Sequence, residues 1–594
     1  MHLASAGARH AAPRTQWTAP RRSSPWGLLA LVLVYLVCSL GLYHRVLGDL
    51  TASTVGWASS DSHQFTWWLE WFVHAVSTGA NPLYTTYQHY PYGVNAMWNV
   101  PVPVLAALLA PVTATAGPVV AFNVGMILGP VASGVAFVAA TRRLVPSLIA
   151  RGVAGGLYAF SPFVVAHASV GHLNLVWALF PPLLIWFIDR ALLRDDATPY
   201  LTGAAFGLGL ALQTGLYTQT LAVGAVALVV AALVLALRRP ALVRRRVPTL
   251  VRSTVSCLVV YFVLCAYPFS LLLGGPGRPQ ERIRPPDATT ADAANLLVPS
   301  PLTAIRIDPA DYAGRLALHP GEQGGYIGLA LLLLVAVALI VGRRREATRS
   351  TGLVAAILII LSFGVHLVVL GDVRLQVMPW RLLLDVPLLG EVEPVRFQIF
   401  IAACLALIVA FWVEDLVGRP RTVTWWTAFG LTVITAASWV PAADAVRTVH
   451  APVPTFFTRS AARTLGPGAV VETVPRATGA WEGGAVPLLW QAESGMAYRT
   501  TGGYFIGSEP GVPLLLQGQV NAYQAGVDAI VERGADPGSP DTARQDLVRL
   551  GVNAIVVAPR DGRPMDPRVL DWTRVVSGDA GRQVDDVAVF RLTR

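Results

Sequence analysis

The chain has no lysine. Its 45 basic residues are therefore all arginine, set against 35 acids, and only 13% of the 594 residues are charged. Soluble domains carry about 25% charged residues. That deficit, with 54% hydrophobic residues and a mean hydropathy of +0.53, excludes an ordinary soluble protein and points to a polytopic membrane protein. Nucleic-acid binding is excluded too, because it needs the basic residues gathered on one soluble face. Here Arg142-Arg143, Arg238-Arg239, Arg244-Arg245-Arg246 and Arg343-Arg344-Arg345 fall between apolar runs, where positive charge sets topology. Cysteine is scarce: Cys38, Cys257, Cys265 and Cys404 all sit within apolar runs. That rules out a disulfide framework and a thiolate metal site. There is no internal repeat of fixed period.

What is present sorts into three parts. Residues 1–24 carry Arg9, Arg14, Arg21 and Arg22 among polar neighbours and read as a disordered cytoplasmic tail. Residues 25–441 read as the transmembrane domain, opening with a retained signal anchor, Pro25 to about Leu47. A first exterior loop covers 48–117; its end, Val100–Gly117, is broken by Pro101, Pro103 and Pro111 and is expected to be interfacial or re-entrant. Further spans are expected at 118–141, 152–169, 174–193, 199–217, 220–237, 253–273, 326–342, 351–370, 396–417 and 423–441. With about eleven spans, each arginine cluster falls on the cytoplasmic side, and loops 274–325 and 371–395 fall outside.

Residues 442–594 then lie outside as a small α/β domain. Val470–Val474, Ala554–Val557 and Val587–Phe590 read as short buried strands. Ser539-Pro540-Asp541 opens a helix to Leu550, with Ser539 as its cap and Gly551 at its end. The aromatics Trp481, Trp490, Tyr498, Tyr504, Phe505 and Tyr523 serve a core or stack on sugar rings.

The polar residues gather at the expected outer ends. In Asp61–Phe72, a helix would put Asp61, Gln64, Trp68 and Phe72 on one face. That suits either an active-site shelf in the headgroup layer with Asp61 as base, or an aromatic belt with an incidental acid. Asn81 and Asn95 fall in Pro- and Gly-rich turns, as capping residues or ligands. His167 and His172 stand five apart, which does not share a helix face, so no zinc site is expected. His172 and Asn174 suit hydrogen bonding to a sugar or phosphate, or simple loop packing. Glu322, Gln323 and Tyr326, with Gly324-Gly325 between them, open an expected span where backbone can approach a ligand. Arg396 begins another span on the outside, paired with Glu393 or poised for a lipid phosphate.

The motifs Asp61-Ser62-His63-Gln64, Asn81-Pro82-Leu83, Tyr90–Asn95, Gly171–Leu175, Glu322–Gly328, Pro394–Phe397 and Gly502-Gly503-Tyr504 span nearly the whole chain. In this order they resemble the GT-C superfamily of integral membrane glycosyltransferases, and within it the actinobacterial YfhO-like or uncharacterised membrane glycosyltransferase group. The resemblance implies a GT-C-like helical domain and a polyprenyl-phosphate-linked sugar donor. It also implies a cell-envelope glycan, lipid or protein acceptor, and a plasma-membrane location with the N-terminus cytoplasmic. It makes Asp61 the catalytic base. Gln64, Asn81, Asn95, His172, Asn174, Glu322, Gln323, Tyr326 and Arg396 become candidate substrate contacts, with Arg396 first and His172 second for the departing phosphate. Many members pair two acids in the first loop. Here Ser60 and Ser62 flank the acid, so a divalent cation is left open and no ligand set is assigned. The competing readings are a flippase of a lipid-linked glycan, which would need a polar path through the spans, and a non-catalytic envelope scaffold.

Overall fold

The computed structural model describes residues 24–593 except 58–60, 289, 307–310, 342–344, 418–419, 451, 459–460, 480–483 and 560–562. The expected tail, Arg343-Arg344, Arg419 and Trp481 lie outside the described residues. Seven helical stretches are long and apolar enough to cross a membrane: Pro25–Leu42, Pro118–Thr141, Leu148–Ser169, Leu173–Leu192, Thr218–Arg238, Pro240–Gly274 and Pro394–Leu416. Four more helices fall where spans are expected, Pro199–Thr214, Gly328–Val341, Glu346–Ser362 and Val423–Ser438. At 14 to 17 residues they are shorter than the roughly 20 that a bilayer core asks for, so the described chain supports seven crossings by length and composition rather than eleven.

The two expected spans around His167 are not continuous helices. The first splits into Leu148–Ala159 and Pro162–Ser169. Pro162 drives the break: the residue before a proline is pushed out of the helical region, and Ser161 is extended at φ −62°, ψ 156°. The second splits into Leu173–Val176 and Phe180–Leu192, with Pro181-Pro182 accommodated in the first turn of the latter. The proline-broken segment of the first loop forms Pro103–Ala116, 14 residues long, about 21 Å at 1.5 Å per residue. It buries Leu105, Ala106 and Leu109 between neighbouring helices.

Asp61 sits at the N-cap of the helix Ser62–Thr78. The indoles of Trp67, Trp68 and Trp71 are at most 2% exposed. They do not form the expected belt at a lipid boundary. They pack with Leu271 and Leu272 and with Leu488, Ala492 and Phe505 of the C-terminal region. Each indole N–H that finds a partner in this cluster finds it in protein: Trp67 donates to Gln491 Oε1 (2.6 Å) and Trp71 to the Pro82 carbonyl (3.1 Å). Burying three large rings this way contributes on the order of 1.5–3 kcal/mol each, enough to clamp the C-terminal region onto the first loop.

The C-terminal region contains a four-stranded sheet. Val471–Val474 pairs in parallel with Ala554–Val557, which pairs antiparallel with Val587–Arg591, with Arg582–Val584 at the edge. Helices Ala522–Arg533, Pro540–Arg549 and Pro567–Ser577 contribute to the core on one face. Phe456, Phe457, Trp490 and Tyr498 belong to the other. Ser539 caps its helix by accepting from the Thr542 N–H, and Gly551 follows one residue beyond the helix end in the left-handed region, φ +72°. The module is stitched to the first loop by backbone pairing of Ser53–Val55 with Thr448–His450. A hairpin, Tyr504–Glu509 with Val512–Gln517, lies outside the main sheet and carries Tyr504 to the site.

Candidate active site

The carboxylate of Asp61 is not spent on capping its helix. Its Oδ1 accepts from the Tyr504 hydroxyl at 2.8 Å, and its Oδ2 lies 3.2 Å from Nε2 of His172. Gly171 makes the second contact possible. It adopts φ +68°, and a Cβ there would stand 2.1 Å from Ser62 Oγ and 2.9 Å from the Val55 carbonyl oxygen. Only a residue without a side chain allows the His172 loop this close to the start of the Asp61 helix. Gln64, one turn on, donates to the Tyr504 carbonyl at 2.9 Å, while Gln88 accepts from the Tyr504 N–H at 3.0 Å. Gln64 thus holds the strand that presents the phenol.

Beyond His172 a buried polar chain continues. Its Nδ1 lies 3.0 Å from Nδ1 of His167, with the rings stacked. His167 Nε2 accepts from Arg396 Nη1 at 3.0 Å. Arg396 also holds Glu322 with two bonds, at 2.5 and 3.0 Å, and reaches Glu393 at 2.5 Å. The spacing argument against a histidine pair fails here for a physical reason. The helix ends at Ser169, and the Val170-Gly171 turn folds His172 back over His167, which helical spacing does not describe. Ligand atoms of His167, His172 and Glu322 lie within 4.8 Å of one another, close enough to hold a cation. The guanidinium of Arg396 already donates into two of the three, so a cation there would have to displace it.

These groups wall one end of a 1420 Å³ cavity. Its polar lining includes Asp61, His172, Asn174, Arg284, Glu322 and Tyr504; its apolar lining includes Leu221, Val226 and Val230 of one helix and Ile357 and Leu361 of another. The side-chain oxygen of Asn174 is buried there with no hydrogen-bond partner among the described residues. Arg284, 56% exposed, reaches Glu393 from the cavity side. Arg396 is 6% exposed and its charge is already met by two carboxylates. That leaves Arg284 as the cavity cation with side-chain surface to offer an anion.

Burial pushes the Asp61 carboxyl upward, but the bond from His172 and the charge that ring carries when protonated, the bond from Tyr504 and the field of Arg284 outweigh it. They hold the acid below the ordinary carboxylate value. It is therefore ionised at neutral pH, with 30% of its side chain still exposed to the cavity. Burial, reinforced by the Asp61 charge, raises the Tyr504 phenol well above its ordinary value, so it stays a donor. An ionised carboxylate with one free edge, fixed by two donors, can accept a proton from a hydroxyl brought against it.

Of the residues expected from the sequence, Asp61, Gln64, His172, Asn174, Glu322 and Arg396 line this one cavity. Four others do not. Asn81 bonds the Leu83 N–H and the Tyr267 hydroxyl. Asn95 is fully buried, capping a turn at Met97 and bonding the Leu271 carbonyl. Gln323 donates to Leu318, and Tyr326 lines a separate small pocket beside Gln398. The polar groups of Asn81, Asn95 and Gln323 hold loops. Arg284 is a site residue that local patterns do not single out; Tyr504, read as a core or sugar-stacking aromatic, and Glu393, read as a partner of Arg396, also reach the site. Arg284 carried one signal: with Arg282, it puts arginine in the loop 274–325, which the charge rule expects to lack it if that loop lies outside.

No protein-family model and no curated protein matches the chain. Among solved structures it is similar to the arabinofuranosyltransferase AftD from Mycobacteria, with 13% identity and a TM-score of 0.53 over 97% of this chain. A mutant of the same protein gives 12% and 0.51 over 96%. The chain spans only 40% and 42% of the length of those two. The archaeal oligosaccharyltransferase AglB from Archaeoglobus fulgidus, at 13% identity and a TM-score of 0.45, is too distant to argue from. What is shared is the fold: this membrane protein folds like the part of AftD that it spans.

Proposed function

We propose that the protein is an extracytoplasmic glycosyltransferase. In this reading it moves a sugar from a polyprenyl-phosphate donor to a cell-envelope glycan, lipid or protein acceptor, with Asp61 as general base. The observation that carries the reading is the Asp61 carboxylate, held by His172 and Tyr504, in a cavity lined by both polar groups and a long apolar stretch. That combination suits a phosphorylated lipid with its tail against the helices and its sugar at the carboxylate. The fold supports it, as does the N-terminus-in, C-terminal-module-out topology expected from the arginine distribution. Membership of the YfhO-like group, and the division into 1–24, 25–441 and 442–594, belong to the same reading.

The acceptor hydroxyl gives its proton to Asp61 as its oxygen forms the new bond to the anomeric carbon. The bond from that carbon to the phosphate oxygen breaks, and the polyprenyl phosphate leaves with the electron pair, inverting the centre. Arg284 meets the charge on that phosphate, the part first assigned to Arg396. Gln64 and His172 act on Tyr504 and Asp61, and Asn174 offers its free oxygen to a sugar hydroxyl.

The test uses the full chain in nanodiscs with a panel of farnesyl-phosphate-linked pentoses and hexoses and envelope extract as acceptor source. Transfer from one panel member, lost by ~10²–10⁴-fold in Asp61→Asn with donor binding retained, is the expected result. Wild-type turnover in Asp61→Asn would remove the base assignment. Donor movement across the bilayer without transfer would favour a flippase, and neither activity a scaffold.

A further inference from the structure

The buried chain from Arg396 to Asp61 has a direction, and the direction follows from hydrogen-bond chemistry alone. A guanidinium has only donors. Because Arg396 Nη1 stands 3.0 Å from His167 Nε2, that nitrogen must present a lone pair. A neutral imidazole then carries its proton on the other nitrogen, Nδ1. Nδ1 of His167 faces Nδ1 of His172 at 3.0 Å, so the second nitrogen must be the acceptor. The His172 proton is thereby placed on Nε2, the atom 3.2 Å from Asp61 Oδ2. Every other arrangement of protons sets two N–H groups or two lone pairs against each other at one of the joints.

We infer that His167 is a positioning residue for the Asp61 site: locked by Arg396 as its Nδ1–H form, it fixes His172 as a neutral Nε2–H donor to the carboxylate. This rests on the reading of Asp61 as the base. It gives the Glu322–Arg396–Glu393 cluster, which lies beyond His172 from the carboxylate, a definite task. The acids hold the guanidinium, the guanidinium sets the first ring, and the first ring sets the second. Oδ2 stays paired with a donor that cannot turn round. The oxygen facing Tyr504, whose hydroxyl can rotate and accept as well as donate, is left to take the acceptor's proton.

The direct test is nitrogen-15 NMR of histidine-labelled full-length protein in nanodiscs, where ring nitrogen shifts distinguish the two neutral forms and the cation. His167→Gln and His172→Asn assign the signals. The expected result at neutral pH is His167 neutral with its proton on Nδ1 and His172 neutral with its proton on Nε2. Finding His167 with its proton on Nε2, or either ring charged, overturns the inference.

A kinetic arm tests the positioning role. A glutamine amide can accept from Arg396 through oxygen and donate to His172 through nitrogen, so His167→Gln should stay within about threefold of wild type in kcat with the active panel donor. His167→Leu leaves His172 Nδ1 buried without a partner and should lose at least about tenfold in kcat with little change in KM. Equal kcat in His167→Leu and wild type overturns the role. If His167→Leu does not fold, a tenfold loss in His167→Gln overturns it as well. The NMR result does not depend on turnover. If no panel donor is transferred while the tautomers stand as drawn, the function fails and the hydrogen-bond order survives.

Discussion

The hydroxyl of Tyr504 donates to Asp61 across 2.8 Å, although 443 residues separate the two in sequence. One comes from the loop after the first apolar helix and the other from a hairpin of the C-terminal module, so the candidate base is finished by a distant part of the chain.

Removing that donor should change the pH dependence in one direction. Burial raises the Asp61 pKa, and the His172 and Tyr504 bonds overcome it. Tyr504→Phe takes one bond away and lets burial count for more, so the carboxyl titrates at higher pH. A group held below its ordinary value stays ionised down through the usual carboxylate range, about pH 4. The acid limb of kcat/KM in wild type should therefore lie below that range and move upward in Tyr504→Phe. The same sign applies to stability: Asp61 contributes above its unfolded pKa, and the contribution is lost as pH falls through the folded value. Rate profiles of the two proteins check the shift; an unmoved limb would detach Tyr504 from the base.

Gly171 should not tolerate a side chain. Alanine would be strained at φ +68° by about 1–2 kcal/mol, and its Cβ would stand 2.1 Å from Ser62 Oγ. Gly171→Ala should lower the melting temperature in detergent and cut turnover, because Ser62 adjoins Asp61 and Gly171 adjoins His172. Adding Ser62→Ala should restore only part of the loss, since the Val55 carbonyl still stands 2.9 Å from the new Cβ. A Gly171→Ala protein with wild-type melting and turnover would show that the two loops slide apart freely.

The Arg396 cluster should respond asymmetrically. Arg396→Met strands Glu322, whose side chain is 9% exposed, and leaves Glu393 to Arg284 alone; breaking a buried pair from one side costs about 3–5 kcal/mol. Glu322→Gln leaves the guanidinium with Glu393 and keeps an amide oxygen to accept from it, so it should cost less. Melting curves of the two variants rank them, and equal losses would mean the cluster is solvated.

Arg284 should act on binding. It is 56% exposed and reaches the cavity wall through Glu393. A charge-assisted bond to phosphate is worth about 1.5–3 kcal/mol, so Arg284→Gln should raise KM for the phosphorylated donor by about tenfold or more and leave kcat nearer wild type. An unchanged KM would return the phosphate to another group.

Much of the architecture is legible in the sequence because it is local. Long apolar runs mark helices, alternating and β-branched runs mark Val471–Val474, Ala554–Val557 and Val587–Arg591, and Ser539-Pro540 marks a helix start. The Asp61 helix also starts where its pattern suggests. What local patterns hide is whatever depends on chain breaks and distant pairing. Spacing rules for His167 and His172 assume one helix, and the proline before them and the glycine between them remove it. The run of tryptophans reads equally as a lipid-facing belt or a protein seam; which it is depends on Leu488 and Ala492, more than 400 positions on. Arg396 reads equally as a partner of Glu393 or as a cation for a phosphate until Glu322, far off in sequence, is seen on its other side.

The seam between the tryptophan helix and the C-terminal module also sets an order of events. Asp61, His172, Glu322 and Arg396 are all synthesised before Tyr504, and the phenol reaches the carboxylate only through the hairpin anchored at that seam. A nascent or truncated chain ending before Tyr504 would carry the acid without its partner. Such a chain would hold the carboxylate by His172 alone, and docking of the last-made segment is the step that adds the second donor.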